Sequence, residues 1–321
     1  MTLDRKIAVA PMMDWTDRHC RFFLRLFSPR VLLYTEMVVA NAILRGDRDY
    51  LLDFDPAEHP VALQLGGSDP AMLAQCAAIG EQFGYDEINL NVGCPSDRVQ
   101  NATFGACLMA TPRLVADCVR AMRAAVRLPV TVKSRIGIDD RDDYGFLRAF
   151  IDEVAAAGCD VFVIHARKAI LRGLSPKENR EVPPLLYERV WQVKRDYPQL
   201  TVVVNGGLRT VPEVAAQWPH VNGVMLGREA YHNPYVISAL HRAAFDDDFH
   251  APEPVEVIAR MQEYAAGQVA RGVPLRAITR HMLGLFSGRA GARNWRRTLS
   301  EGVNRGATSA NLLAEALRAA R

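Results

Sequence analysis

A lysine inside a β-branched run is out of place unless something anionic meets it. Lys133 sits in such a run, Val130-Thr-Val-Lys-Ser-Arg. Side chains alternate along a strand, so Arg135 shares its face, and His165 shares one with Arg167 and Val163 in the next run. A lone interior histidine is more often a satisfied core residue, but several cationic positions at the ends of neighbouring runs are harder to dismiss. Two glycine-bearing turns follow further on, Asn205-Gly206-Gly207 and Gly227-Arg228. Their backbone N–H groups suit a phosphate and Arg228 would cap it, which points to a sugar phosphate or mononucleotide.

Cys94 is held between Gly93 and Pro95, just beyond Asn91. A thiol in such a turn can serve as nucleophile or as proton donor. No base accompanies it in the same loop, which favours the proton donor. Cys20, Cys76, Cys107, Cys118 and Cys159 form no C-x-x-C pair and read as small packing residues in a reducing compartment. No His or carboxylate cluster has metal-ligand spacing, so no metal is expected.

The elements that must position these residues follow from periodicity. Eight short β-branched runs, at 7–10, 31–36, 61–66, 87–91, 130–135, 161–166, 201–206 and 223–227, alternate with helical patterns. Asp69-Pro70 and Thr111-Pro112 open helices toward 83 and 126; others run over 143–157 and 184–196. Eightfold alternation predicts an α/β fold, a (β/α)8 TIM barrel. The rival open sheet lacks its G-x-G-x-x-G after the first run, where Ala10-Pro11-Met12-Met13 stands. Barrel chemistry lies at the C-terminal strand ends, and the residues singled out above fall there.

The chain has 321 residues, 49% hydrophobic and 23% charged, which excludes collagen-like, coiled-coil and disordered classes. That length holds a barrel over 1–245 and a small all-helical domain over 246–321, joined through Asp246-Asp-Asp and Pro252-Glu-Pro. No apolar run reaches the ~18–20 residues of a membrane span, and the N-terminus lacks a signal-peptide pattern, so a cytoplasmic protein is expected. From 252 to 321 there are 11 Arg, no Lys, no Asp and 5 Glu, a net +6 against −3 for the remainder. Between 264 and 300 seven Arg occur without one acid. A charge run is usually a solvated face, but this asymmetry favours a polyanionic partner, nucleic acid first.

The motifs Ala10-Pro-Met-Met-Asp-Trp-Thr-Asp-Arg-His-Cys-Arg, Asn89-Leu-Asn-Val-Gly-Cys-Pro-Ser, Lys133-Ser-Arg-Ile-Gly, His165-Ala-Arg-Lys, Ser175-Pro-Lys-Glu-Asn-Arg and Asn205-Gly-Gly resemble the tRNA-dihydrouridine synthases, most closely the A subfamily. The match runs from about residue 7 into the C-terminal helices. The resemblance implies tightly bound FMN in the barrel mouth, NADPH as reductant, and reduction of the C5–C6 bond of D-loop uridines, at positions 20 and 20a. Hydride would reach C6 from the flavin, and Cys94 would give C5 its proton.

By the same resemblance Pro11, Met12 and Met13 line the isoalloxazine, Gln64 bonds its edge, and Lys133 faces its N1–C2 side. His165 reaches the phosphate or ribityl, while Asn205, Gly206, Gly207, Gly227 and Arg228 hold the phosphate. Asn91 and Arg167 face the flipped uracil; Lys177, Arg180, Arg293 and Arg296 contact tRNA. Trp295 could stack on a base, although a helical tryptophan is more often core. A monomer is expected, leaving the RNA surface free. Three other readings compete: a small-molecule FMN barrel oxidoreductase of dihydroorotate-dehydrogenase type, a Schiff-base aldolase using Lys133, and a plain RNA-binding module.

Overall fold

The computed structural model describes residues 3–96 and 103–320. Eight parallel strands appear in it: β1 Ile7–Val9, β2 Leu33–Val39, β3 Val61–Gly66, β4 Glu87–Val92, β5 Val130–Arg135, β6 Val161–His165, β7 Thr201–Asn205 and β8 Gly223–Leu226. Each pairs with its sequence neighbours, and β1 pairs with β8. A parallel bridge between Ala8 and Leu32 joins β1 to the β2 segment and closes the ring. This is the (β/α)8 barrel that the alternation predicts.

Period-two alternation sorts the strand side chains into two layers. Outward residues such as Ile88, Leu90 and Val92 of β4 are fully buried under the surrounding helices. Inside the ring lies a smaller apolar set: Ala8, Ala10, Leu32, Tyr34, Ala62, Val163, Val203 and Met225. It comes mostly from β1, β2 and β6–β8. Strands β3–β5 put polar side chains inside instead, with Gln64, Glu87, Asn89 and Thr131 all buried.

The helix starts show why the punctuation works. Asp69 accepts the N–H of Met72 to cap helix Pro70–Gln82, and Asp143 accepts that of Phe146 to cap Tyr144–Ala156. Thr111 precedes helix Pro112–Ala125 without capping it; its hydroxyl donates to the Leu108 carbonyl at 3.3 Å. The helix expected from 184 begins at Tyr187, because the preceding Leu186 is non-helical, with φ −122° and ψ 73°. β2 lies later than the 31–36 run because it is irregular: its register on β3 shifts between Tyr34 and Met37. Within that bulge the Thr35 hydroxyl accepts the N–H of Gln64 at 3.0 Å.

After helix Tyr235–Ala244 the described chain is helical only: Pro254–Ala270, Leu275–Thr279, Ala292–Asn304 and Asn311–Ala320, with a 3₁₀ turn at Arg280–Met282. One apolar cluster runs from the outer barrel layer into these helices, through Met261, Ile278, Leu285 and Trp295. Tyr264 stacks on Phe22, ring centroids 3.9 Å apart, and its hydroxyl meets His19 Nδ1 at 2.7 Å. Asp17 caps helix Arg18–Arg25 and also pairs with Arg280 and His281, at 2.7 and 3.0 Å. Trp295 is wholly buried, its Nε1 donating to the Met282 carbonyl at 2.8 Å; it is a core residue and offers no face to a base. Among the described residues no helix is long and apolar enough to cross a membrane.

Candidate active site

Cys94 lies in the loop after β4, half-buried at the C-terminal mouth of the barrel. Asn91, the last inward residue of β4, holds it there. Its Oδ1 accepts the N–H groups of Gly93 and Cys94, at 3.1 and 3.0 Å, and its Nδ2 donates to Gln64 Oε1 at 2.8 Å. On the other side the Cys94 carbonyl accepts the N–H of Ala106. The thiol is therefore presented by a turn fixed at both flanks, with the Ser96 hydroxyl 3.6 Å from Sγ. Of the other cysteines, four are buried, and Cys107 is half-buried with its thiol donating to the Phe104 carbonyl.

Lys133 pairs in register with Asn91 across β4 and β5. Its Nζ reaches Asn205 Oδ1 at 3.3 Å, and Asn205 Nδ2 is anchored on the Met225 carbonyl at 2.7 Å. Burial, reinforced by the Arg135 guanidinium, lowers the Lys133 ammonium pKa to about 7. No carboxylate among the described residues pairs with it. Arg135 itself is a clamp: it donates to the carbonyls of Gly93, Lys168 and Asn179, tying the loop after β4 to the loop after β6.

His165 ends β6, opposite Arg135 on one side and Asn205 on the other. Burial and the surrounding Arg135, Lys133, Arg167 and Arg180 push its pKa well below the usual imidazole value, so the ring is neutral. It makes no hydrogen bond among the described residues, and it packs on the β7 turn. A Cβ on Gly206 would lie 2.6 Å from His165 Cδ2, and one on Gly207 2.4 Å from Leu185 Cδ1. Both glycines also have positive φ, +117° and +72°. Only glycine fits here, for space and for backbone. The Tyr187 hydroxyl pins the turn through the Gly206 carbonyl at 2.6 Å. Gly227 differs: a Cβ there would make only ordinary contacts, with Met12 Sδ at 3.8 Å and Ala10 Cβ at 3.9 Å.

Arg228, the first residue of helix Arg228–His232, donates to Glu181 Oε1 at 2.5 Å. Arg167 donates to the carbonyls of Glu181 and Pro183, and its Nε is buried without a partner. Arg180 shares the cluster, within electrostatic reach of Cys94, Arg228 and Glu181, and Lys177 beside it is exposed. Pro11 and Met12 are half-buried while Met13 is 56% exposed; Met12 closes its own turn by accepting the N–H groups of Trp15 and Thr16. Asp14, with φ of 64°, donates its N–H to the Glu36 carboxylate. Burial and the nearby Asp17 and Asp14 raise the Glu36 pKa.

The mouth thus brings together Cys94, Lys133, Arg135, His165, Arg167, Arg180 and Arg228. Arg293 and Arg296 stand apart from this cluster, on the exposed face of helix Ala292–Asn304. Sequence alone points to Arg135 as a cation at the strand end but not to its role as a clamp, and it does not disclose Glu181 or Glu36; their partners lie on other strands and loops, which spacing does not show. A half-buried lysine without a carboxylate partner, an orphaned guanidinium N–H and a glycine cradle together fit an anionic phosphate-bearing ligand such as FMN.

A family model described as dihydrouridine synthase (Dus) matches residues 8–321. The chain is 58% identical over 314 residues to the tRNA-dihydrouridine(20/20a) synthase of Escherichia coli (strain K12), covering 98% of this chain and 91% of that one. The protein of that name from Yersinia pestis is 55% identical over the same shares, and that of Pasteurella multocida 56% identical over 97% and 95%. A solved 2-naphthoyl-CoA reductase superposes with a TM-score of 0.57 at 10% identity, covering 78% of this chain and 52% of that one, a likeness of fold alone. With the family model spanning the barrel and the helices behind it, the chain belongs to the dihydrouridine synthase family.

Proposed function

We propose that the protein reduces the C5–C6 double bond of tRNA D-loop uridines, at positions 20 and 20a, to 5,6-dihydrouridine, with NADPH as reductant and FMN bound tightly in the barrel mouth. The observation that carries this is the pairing of a cationic half-mouth lacking a counter-ion at Lys133 with a cysteine held at its rim. Support for the substrate comes from the relatives, each a tRNA-dihydrouridine(20/20a) synthase by name.

When bound, FMN supplies hydride-transfer chemistry. The chain does the rest. Lys133, which burial leaves easily discharged, regains its proton beside an anion and stabilises negative charge there. Gly206, Gly207, Gly227 and Arg228 cradle the phosphate, with His165 as a neutral hydrogen-bonding group and Asn205 holding Lys133 in place. Met12, Met13 and Pro11 form an apolar wall, and Gln64 offers its amide edge. Cys94 Sγ carries the proton that C5 of the uracil receives. Asn91 aims that thiol, and Arg167 faces the base.

The target uridine must leave the tRNA core to reach the mouth, so the surrounding phosphates need a grip. Lys177, Arg180, Arg293 and Arg296 provide it, the last two from the 246–321 helical unit behind the 1–245 barrel. The enzyme works as a cytoplasmic monomer. A small-molecule flavin oxidoreductase leaves the exposed, acid-free arginines without a task. Incubation with NADPH and tRNA from cells lacking the gene, followed by mapping of dihydrouridine, tests the proposal. Product at 20 and 20a is expected; unmodified tRNA under conditions that reduce the flavin contradicts it.

A further inference from the structure

The amide bond that aims Cys94 does not end at Gln64. Gln64 Nε2 donates to Asn89 Oδ1 at 2.8 Å, and Asn89 Nδ2 donates to the Thr131 hydroxyl at 2.8 Å. Thr131 in turn donates to Glu87 Oε1 at 2.7 Å. Glu87 is the first residue of β4, so it lies about 13 Å down the strand from Asn91, four residues at ~3.3 Å each. Its Oε2 accepts from Arg5 Nε and Nη2 at 2.8 and 2.6 Å, and Oε1 also accepts from Tyr34. Every member from Glu87 to Gln64 is buried.

We propose that Thr131, backed by Glu87, is a positioning residue for Cys94, acting through this chain. Its direction is fixed from both ends. Glu87, facing a guanidinium and two hydroxyls, accepts from all of them, so the Thr131 hydroxyl spends its proton there and must accept from Asn89. Asn89 then turns its oxygen to Gln64, and Gln64 its oxygen to Asn91, which leaves Asn91 Oδ1 free for the N–H groups of Gly93 and Cys94. That outcome is the one the Cys94 turn requires. Removing the Thr131 hydroxyl orphans an Asn89 N–H in the interior. Relief comes only by turning successive amides over, which ends with an N–H pointed at two N–H groups. The apolar filling on the opposite side of the same interior sharpens the contrast, since β3–β5 would fill the space as well with apolar residues.

The inference rests on Cys94 being the proton donor, and one experiment separates the two. Holoenzymes carrying Thr131→Val, Thr131→Ser and Tyr34→Phe are compared by two readouts: iodoacetamide alkylation of Cys94, followed peptide by peptide, and reoxidation of reduced flavin by tRNA. In Thr131→Val, alkylation of Cys94 is expected to become several-fold faster as the turn loosens, and reoxidation about tenfold slower, with NADPH-driven flavin reduction within twofold of wild type. Thr131→Ser restores both. Tyr34→Phe removes a second donor from the same Glu87 oxygen, leaves the bonds running from Thr131 to Asn91 in place, and stays near wild type. Thr131→Ala gives the same comparison should the valine variant not fold. Unchanged Cys94 alkylation in Thr131→Val, or a serine variant as disturbed as the valine one, overturns the inference. Wild-type reoxidation in Cys94→Ala overturns the donor reading instead, and leaves the alkylation result to decide the positioning.

Discussion

The barrel mouth and the exposed face of helix Ala292–Asn304 are both rich in cations, yet they obey different physics. In the mouth Lys133 is half-buried and Arg135 buried, and loss of solvation lowers their pKa values to about 7 and about 10. Arg293 and Arg296 are exposed, without ion pairs among the described residues, and their charge costs the fold nothing. Buried charge without a counter-ion is a standing penalty that one well-placed anion removes, so the mouth suits a single, stoichiometric ligand. Exposed charge acts through counterion release and suits a long polyanion whose binding weakens with salt. On the proposed function, one chain holds its small ligand and its large one by opposite means.

The largest effect that could break this contrast is at Gly206. Gly206→Ala places a methyl on the His165 ring at a φ of +117°. Flavin is expected to be lost on purification, seen as an absent visible absorbance, while tRNA retention at low salt survives. Lys133→Ala should behave similarly but less completely, weakening FMN and slowing its reduction. The wild type adds a pH signature with a definite sign. Burial lowers the folded-state pKa of Lys133 to about 7, below its unfolded value, so the neutral form is favoured on folding. Its penalty on stability is therefore full below pH 7 and fades as pH rises toward ~10.4. An anionic ligand needs the charged form, so FMN affinity should fall as pH rises above 7, by up to about tenfold per unit. Titration of apoprotein with FMN between pH 6 and 9 measures it; a flat profile sinks the role given to Lys133.

At the arginine face, Arg293→Ala with Arg296→Ala should flatten the salt dependence of tRNA binding by roughly 0.7–0.9 per lost phosphate contact. FMN content should not change. The smallest effect lies between the two regions. Asp17→Ala removes a helix cap and the partner of Arg280 and His281, and should lower stability by about 1–2 kcal/mol, read as a drop in Tm. Burial alone would raise the Asp17 carboxyl pKa, but His281, the Cys20 N–H and Arg280 together hold it well below its ordinary value, so this contribution is present at neutral pH and is lost as pH falls into the acid range.

Much of this was legible before the structure. Strand alternation and the Asp-Pro and Thr-Pro helix starts depend on neighbours a few residues away, so β3, β5 and the helices Pro70–Gln82 and Pro112–Ala125 fall where the pattern puts them. Shifted β2 shows the limit: its bulge is stabilised by Thr35 meeting the backbone of Gln64, a partner 29 residues on. The same limit governs the site. Lys133, His165 and the glycines stand out by type, because each is wrong for an ordinary strand or turn. Asn91, Gln64 and Asn205 look like ligands by type, but only the fold reveals that their amides are first engaged with Cys94, Asn89 and Lys133. Thr131 and Glu87 leave no signal in the sequence, since a threonine or glutamate on a strand is common and their partners lie up to 82 residues away.

The step on which the proposed function turns is the transfer of a proton from Cys94 to the uracil after the flavin is reduced. Anaerobic stopped-flow reoxidation of the reduced flavin by tRNA measures that step alone. In Cys94→Ala the account predicts near-normal FMN content and NADPH-driven reduction, with reoxidation by tRNA slowed about 10²–10⁴-fold, the contribution of a positioned general acid. Reoxidation at the wild-type rate would contradict it and return Cys94 to a packing role.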